Sequence, residues 1–361
     1  MDSVLRNHRI KGAAALALVF VLAGFALRAT ATPRATTVSV TLMKVATLDV
    51  PAHRLLADTK HNALWFVQML SGSRTTLNRV NSSDGSIEAF DLPTTDYNGY
   101  TTTLAVSPSG SVWVGLPYTI AHWDSTSKTV STFPLPLQVK GQLPTAFDVN
   151  QPLAGTWVAS ISAVGENIAI SRLNVPAVQL FDVAGNQLAE TPVPDSYAGS
   201  RQLASSAAGD LYALAGYLSS ADVIDVLALH ADGRTSHTGI LGATGISPTG
   251  VGLMVDTSIP TSATASQVLT TATIPGVTST SSAITRSNGS VTAAWDWTRS
   301  LLSISSSSGV QQVDVPEVQG VATTGQIVSA KDSVTDVAVS GDGSVWLLAD
   351  GGRSLAKANT K

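Results

Sequence analysis

Hydrophobic and polar residues alternate in short runs along most of the chain, and the runs come in pairs joined by Gly or Asn. Residues 104–114 (LAVSPSGSVWV) read as strand, tight turn, strand, because a period of two lays one face of each run against a core. The same shape returns at 337–347 (VAVSGDGSVWL) and, more loosely, at 203–213 (LASSAAGDLYA), 246–253 (ISPTGVGL) and 284–292 (ITRSNGSVT). Shorter copies stand at 62–66 (NALWF) and 165–168 (GENI). The turn positions are therefore Asn62, Gly110, Gly165, Gly209, Gly250, Gly289 and Gly343, spaced 48, 55, 44, 41, 39 and 54 residues apart. Tight hairpin turns need positive φ, which Gly and Asn adopt at little cost. Three residues further on, Trp65, Trp113, Tyr212 and Trp346 offer rings that would fill the wedge between adjoining sheets.

A second hairpin follows most of these. Residues 77–93 (LNRVNSSDGSIEAFDLP), 120–136 (IAHWDSTSKTVSTFPLP) and 178–194 (VQLFDVAGNQLAETPVP) are again strand, turn, strand, each closed by a proline that stops pairing. Two hairpins per repeat make four strands per repeat, the dimension of a propeller blade. The expected fold is all-β: a seven-bladed β-propeller of four-stranded antiparallel blades over 37–361, preceded by an N-terminal apolar helix. A pair of β-sandwiches shares the alternation but does not explain a repeat running end to end. The last unit has chain for only three strands, so 38–50 (VSVTLMKVATLDV) is expected to pair with it and close the ring. The outer half of the fifth unit, 258–275, is rich in Ser and Thr and is expected to be a ragged hairpin.

Ahead of the repeats lies a different composition. Arg6, Arg9 and Lys11 precede an uncharged run, 12–27 (GAAALALVFVLAGFAL), that ends at Arg28. At 1.5 Å per residue the run covers about 24 Å, short of the ~30 Å hydrocarbon core. Basic flank and length fit a secretory signal over 1–36, with small residues at Ala29–Ala31 for cleavage; an uncleaved N-terminal membrane anchor is the alternative. Either places the repeats outside the cytoplasm, secreted or tethered to the membrane.

Charge narrows the partners. Only 13% of the 361 residues are charged and the net charge is -4, which argues against nucleic acid, since phosphate binding needs a Lys/Arg surplus. With no Cys there is no disulfide framework, thiolate metal site or cysteine nucleophile.

The elements Leu64-Trp65-Phe66, Asn78-Arg79-Val80 through Pro93, Ser107 through Val114, and Ser340 through Leu347 resemble the repeat of streptogramin B lyase (virginiamycin B lyase) propellers, and related repeats occur in NHL-type binding propellers. The resemblance covers the first, second and last units and thins between them. It implies a propeller and, for the lyases, a metal-assisted proton abstraction and ring-opening elimination by His and Glu near the central channel, with Mg²⁺ or Ca²⁺ as the cation. In such repeats the second strand commonly ends in Glu; here the matching positions are Gln68, Leu116 and Ala349. None is acidic, and a carboxylate is what would hold the cation or orient an imidazole.

Histidines do not restore the chemistry. His8, His53, His61, His122, His230 and His237 form no His-x-x-x-His motif and no His–Glu pair at ligand spacing. His122 sits in a third strand, where a packed or solvated ring is the expectation. No catalytic residue, metal ligand or cofactor is therefore assigned. The usable concavity of a propeller is the mouth of its axial channel. Candidate ligand contacts there are Gln68, Tyr97, Tyr100, Tyr118, Asp148, Asn150, Trp157, Tyr217 and Asp350, aromatics beside polar groups that suit a protein, a glycan or a small molecule. The expected function is a non-catalytic binding or scaffold module, with a metal-dependent lyase or lactonase-like hydrolase as the alternative.

Overall fold

The computed structural model describes residues 40–52, 54–69, 74–93, 103–116, 119–135, 158–172, 175, 177–193, 197–206, 209–217, 220–230, 232–241, 243–248, 253–257, 277–281, 283–296, 301–314, 320–321, 327–328 and 334–360. The chain divides into two units, Met1–Thr36 and Thr37–Lys361. The expected apolar helix lies outside the described residues. Among the described residues the sole helical element is a 3-10 turn at Asp350–Gly352, and no helix is long and apolar enough to cross a membrane.

Strand β1 (Val40–Thr47) comes first. The first blade is β2 (Leu56–Asp58), β3 (Ala63–Met69), β4 (Thr75–Asn81) and β5 (Ile87–Leu92); the second is β6 (Thr103–Val106), β7 (Val112–Leu116), β8 (Thr119–Trp123) and β9 (Val130–Pro134). The third is β10 (Val158–Val164), β11 (Asn167–Arg172), β12 (Ala177–Phe181) and β13 (Gln187–Pro192); the fourth is β14 (Tyr197–Ser205), β15 (Leu211–Tyr217), β16 (Ser220–Leu229) and β17 (Thr235–Leu241). A mixed sheet follows, of β18 (Ala243–Pro248), β19 (Leu253–Thr257) and β20 (Val277–Ser281). The penultimate blade is β21 (Ala283–Ser287), β22 (Thr292–Asp296), β23 (Leu301–Ser306) and β24 (Gly309–Asp314). A small ribbon, β25 (Gly320–Val321) with β26 (Ile327–Val328), leads to β27 (Asp336–Val339), β28 (Val345–Ala349) and β29 (Ser354–Thr360). In the closing blade the order is β1-β29-β28-β27, β1 running antiparallel to β29.

Among the described residues six blades, not seven, have four strands in antiparallel order. The departure is the fifth repeat, where β20 lies parallel to β19 and no fourth strand joins among the described residues. A hairpin returns the chain antiparallel, whereas a parallel neighbour needs a crossover of a dozen or more residues. Residues 258–276 supply the length, and they fall outside the described residues, as does the ragged hairpin expected there. Val277–Ser281 (VTSTS) has a single apolar residue, too little pattern to specify a register.

Innermost strands β2, β6, β10, β14, β18, β21 and β27 touch in that circular order, and β27 touches β2. The core is divided between neighbouring sheets. Trp346 packs with Leu64, Phe66 and Val80 of the first blade, Trp65 with Leu104, Val112 and Val114 of the second, and Trp113 with Ile161, Ile168 and Ile170 of the third. Tyr212 packs with Ile246, Leu253 and Val255 of the mixed sheet. Trp295, in β22, fills the next wedge with Val337, Val345 and Leu347. Aromatic contacts reinforce one wedge: the Trp65 and Trp123 centroids lie 4.7 Å apart and Phe90 lies 5.2 Å from Trp123. Sheets splay outward from an axis, so the widest side chains occupy each wedge.

Turn chemistry holds as expected. Asn62, Gly110, Gly165, Gly209, Gly289 and Gly343 all have positive φ; Gly250 lies outside the described residues.

Polar side chains tie the turns of adjoining sheets together. Asn62 Oδ1 accepts the backbone N–H of Asp342 at 3.1 Å, Lys60 Nζ donates to Pro108 O at 2.8 Å, and Ser109 Oγ donates to Glu166 Oε2 at 2.7 Å. Ser160 Oγ accepts Leu203 N–H at 2.9 Å, and Asn288 Nδ2 donates to Ser340 O at 2.8 Å. Between the fourth blade and the mixed sheet, Gln202 clasps one residue from both sides: Nε2 donates to Ile246 O at 2.7 Å and Oε1 accepts Ile246 N–H at 3.2 Å.

Candidate functional site

The innermost strands enclose an axial cavity of about 610 Å³, within the size of ordinary small-molecule sites. Every sheet of the ring contributes lining: residues 54–60 from the first blade, 104–108 from the second, 161–163 from the third, 202–206 from the fourth, Ile246 and Ser247, then 286–288, and Asp336 with Ala338 and Val339. Serines recur on these strands because the inner strand carries a core face and an axial face. Several bridge neighbours: Ser162 Oγ donates to Ser205 Oγ at 3.2 Å, and Ser205 Oγ donates to Ala163 O.

Ionic groups sit at both ends of the inner strands. At the turn end, Asp58 is 4% exposed and accepts the backbone N–H of His61 at 3.1 Å and faces its Nδ1 at 3.0 Å. At the leading end, Asp336, 3% exposed, is held by three donors. Leu55 N–H reaches Oδ2 at 3.0 Å, while Arg286 Nη2 at 3.0 Å and Val337 N–H at 2.9 Å reach Oδ1. Arg54, half-buried beside them, makes no hydrogen bond or ion pair with any described residue. Burial pulls its guanidinium below the usual arginine range, Asp336 opposes that shift and Arg286 adds to it.

Of the candidate contacts, Tyr97, Tyr100, Tyr118, Asp148, Asn150 and Trp157 lie outside the described residues. Tyr217 ends β15. Gln68 and Asp350 are not among the cavity's lining residues. Gln68 is 8% exposed in β3 and its Nε2 donates to Val50 O at 2.9 Å, pinning the link from β1 to β2. Asp350 begins the β28–β29 turn at φ 53, where its carboxylate accepts Ser354 Oγ. That turn holds the same link: Gly352 O accepts Ala52 N–H at 2.9 Å, and Arg353 O accepts Leu48 N–H at 2.7 Å. Nothing in the sequence marks Arg54 or Asp336, because a lone Arg and a strand-leading Asp carry no spacing signal. Nor does Arg172, 1% exposed at the end of β11, where burial lowers its guanidinium to about 10 against the opposing pull of Glu190.

The divalent cation implied by the lyase resemblance finds no matching donor set. Gln68 is engaged with Val50, Leu116 ends β7 as a 2% exposed hydrocarbon, and Ala349 has no donor. Among the described residues no group of three or more His, Asp or Glu could hold a metal ion. His122 stacks on Trp113 at 4.1 Å and 20°, 8% exposed; burial lowers its pKa, against Asp124 and Glu166. His237 Nδ1 lies 2.6 Å from Asp225 Oδ2 across β16 and β17, a pair that sequence spacing does not reveal.

No family model matches the chain, and no curated protein matches it. Solved structures do. Virginiamycin B lyase from Staphylococcus aureus, in a catalytically inactive form with quinupristin, is 13% identical over 89% of this chain and 99% of its own, with a TM-score of 0.46. The RRP9 WD40 repeats are 9% identical over 89% and 97%, with a TM-score of 0.54. A chain of the mitotic checkpoint complex is 16% identical over 92% and 95%, with a TM-score of 0.55. At such identities the likeness concerns the backbone alone: the chain is a β-propeller.

Proposed function

We propose that this propeller is a non-catalytic binding module that takes a small polar molecule in its axial cavity, and that residues 1–36 carry it across or anchor it to a membrane. One observation supports the first part above others: the cavity is lined by every sheet of the ring, yet its serines, Gln202, Asp58 and Asp336 are engaged in structural hydrogen bonds. Binding needs a shaped, pre-organised cavity, whereas turnover needs a nucleophile or base held within reach of a reacting atom. Tyr97, Tyr100, Tyr118, Asp148, Asn150 and Trp157 would complete the rim.

Ligand-observed NMR against a mixed set of sugars, peptides and acids, paired with hydrogen exchange, tests the binding reading. A ligand that slows exchange in β2, β10 and β21 and returns unchanged is the expected result. Consumption of the ligand, or protection confined to the outer strands, overturns it. For export, fusion of the first 36 residues to a periplasm-dependent phosphatase should give activity; a silent fusion removes that part.

A further inference from the structure

The leading end of the cavity holds two guanidinium groups and one carboxylate. Asp336 is occupied by Leu55 N–H, Val337 N–H and Arg286, so its single negative charge is already shared. Arg54, on the segment that enters β2, lines the same cavity and is left without a hydrogen-bonded partner among the described residues. At the opposite end, Lys60 donates to Pro108 O and Asp58 faces His61. The unmatched positive charge therefore lies at Arg54. A guanidinium remains protonated at neutral pH even when burial depresses its pKa, and leaving it partly desolvated without an acceptor is costly. Its planar fork of donors suits two oxygens of one carboxylate or phosphate.

We propose that the axial cavity binds a small molecule through an oxyanion, a carboxylate or phosphate group seated on Arg54, with the Arg286–Asp336 pair fixing the floor beneath it. This rests on the binding reading above and names its ligand class. Ser162 and Ser205 line the same cavity with their hydroxyl protons already committed to Ser205 Oγ and Ala163 O, so a ligand that brings hydroxyl donors, a hydroxylated acid or a sugar phosphate, fits better than an apolar one.

Isothermal titration of the full chain with inorganic phosphate and, separately, with citrate, at constant ionic strength, tests the assignment. Saturable binding by at least one probe is expected, weakened about tenfold or more in Arg54→Gln and partly restored in Arg54→Lys, which keeps the charge but loses the fork. Arg74→Gln, which removes an exposed arginine paired with Asp91, should bind as the parent does. Phosphate alone or citrate alone as the active probe separates the two oxyanion sources. Equal affinity in the parent and in folded Arg54→Gln, or heat that never saturates, overturns the oxyanion site. A neutral or cationic ligand that protects β2, β10 and β21 while both anions fail would sink this proposal and leave the binding reading intact. Absence of any cavity ligand in the NMR screen would sink both.

Discussion

At Gly110 the backbone has φ +86, and a Cβ added there would lie 2.5 Å from the His61 ring. Strain and crowding act together, so Gly110→Ala should cost about 1–3 kcal/mol, read as a lower urea midpoint with unchanged slope. His122 makes a different prediction. Its folded pKa is lowered from 6.5, burial being the largest cause, so the unfolded chain binds its proton more readily. The stability this contributes is present above pH 6.5 and is lost as pH falls through the folded value. Chemical denaturation between pH 7.5 and 5 should show the decline, and His122→Phe, which keeps a ring on Trp113, should flatten it. An unchanged slope in that variant would place the sensitivity elsewhere.

Elements depend on how their turns and wedges are filled. Trp113, wholly buried, belongs to β7 yet packs on the third blade, so Trp113→Ala should cost about 3–5 kcal/mol. Loss of cooperativity across the second and third blades would show as earlier hydrogen exchange in both. Three outer hairpins share an aspartate-stapled turn. Asp84 and Asp124 are held below the usual carboxylate range chiefly by backbone N–H donors of Ser86 and Ser127, and Asp182 chiefly by the Asn186 amide. Depressed carboxylates stabilise above their unfolded pKa and lose that contribution as pH falls through the folded value. A second acid-induced weakening, below pH 4, is therefore expected in the parent and reduced in the triple Asp→Asn variant.

At the scale of the whole molecule, closure is the issue. Strand β1 covers the outer edge of β29, with Leu42, Val45 and Ala46 packed on the core clusters. Removal of residues 1–47 should cost on the order of 3 kcal/mol from lost apolar burial and expose an edge that invites aggregation, seen as a lower melting temperature with rising light scattering. Much of this architecture is legible in the sequence because hairpins are local. A period of two, Gly or Asn at each turn and an aromatic three residues later are encoded within a dozen positions, and Asn62, Gly110 and Gly343 sit in the turns so marked. Local pattern fails in the fifth repeat: a parallel β20 depends on where a long connection returns, which no short window records. The cavity is less legible still. Gln68 and Asp350 look like ligand contacts from their places in a repeat, but spacing does not record that Gln68 donates to Val50 in the link between β1 and β2 or that Asp350 accepts Ser354 Oγ in its own turn. Arg286 and Asp336 come from adjoining inner strands 50 residues apart, and Arg54 joins them only because the ring closes. The sequence by itself determined the hairpins, their turns and the wedge-filling rings, since those arise from contacts between near neighbours. Only the tertiary structure decided which charges share the axis, because that follows from joining the first blade to the last.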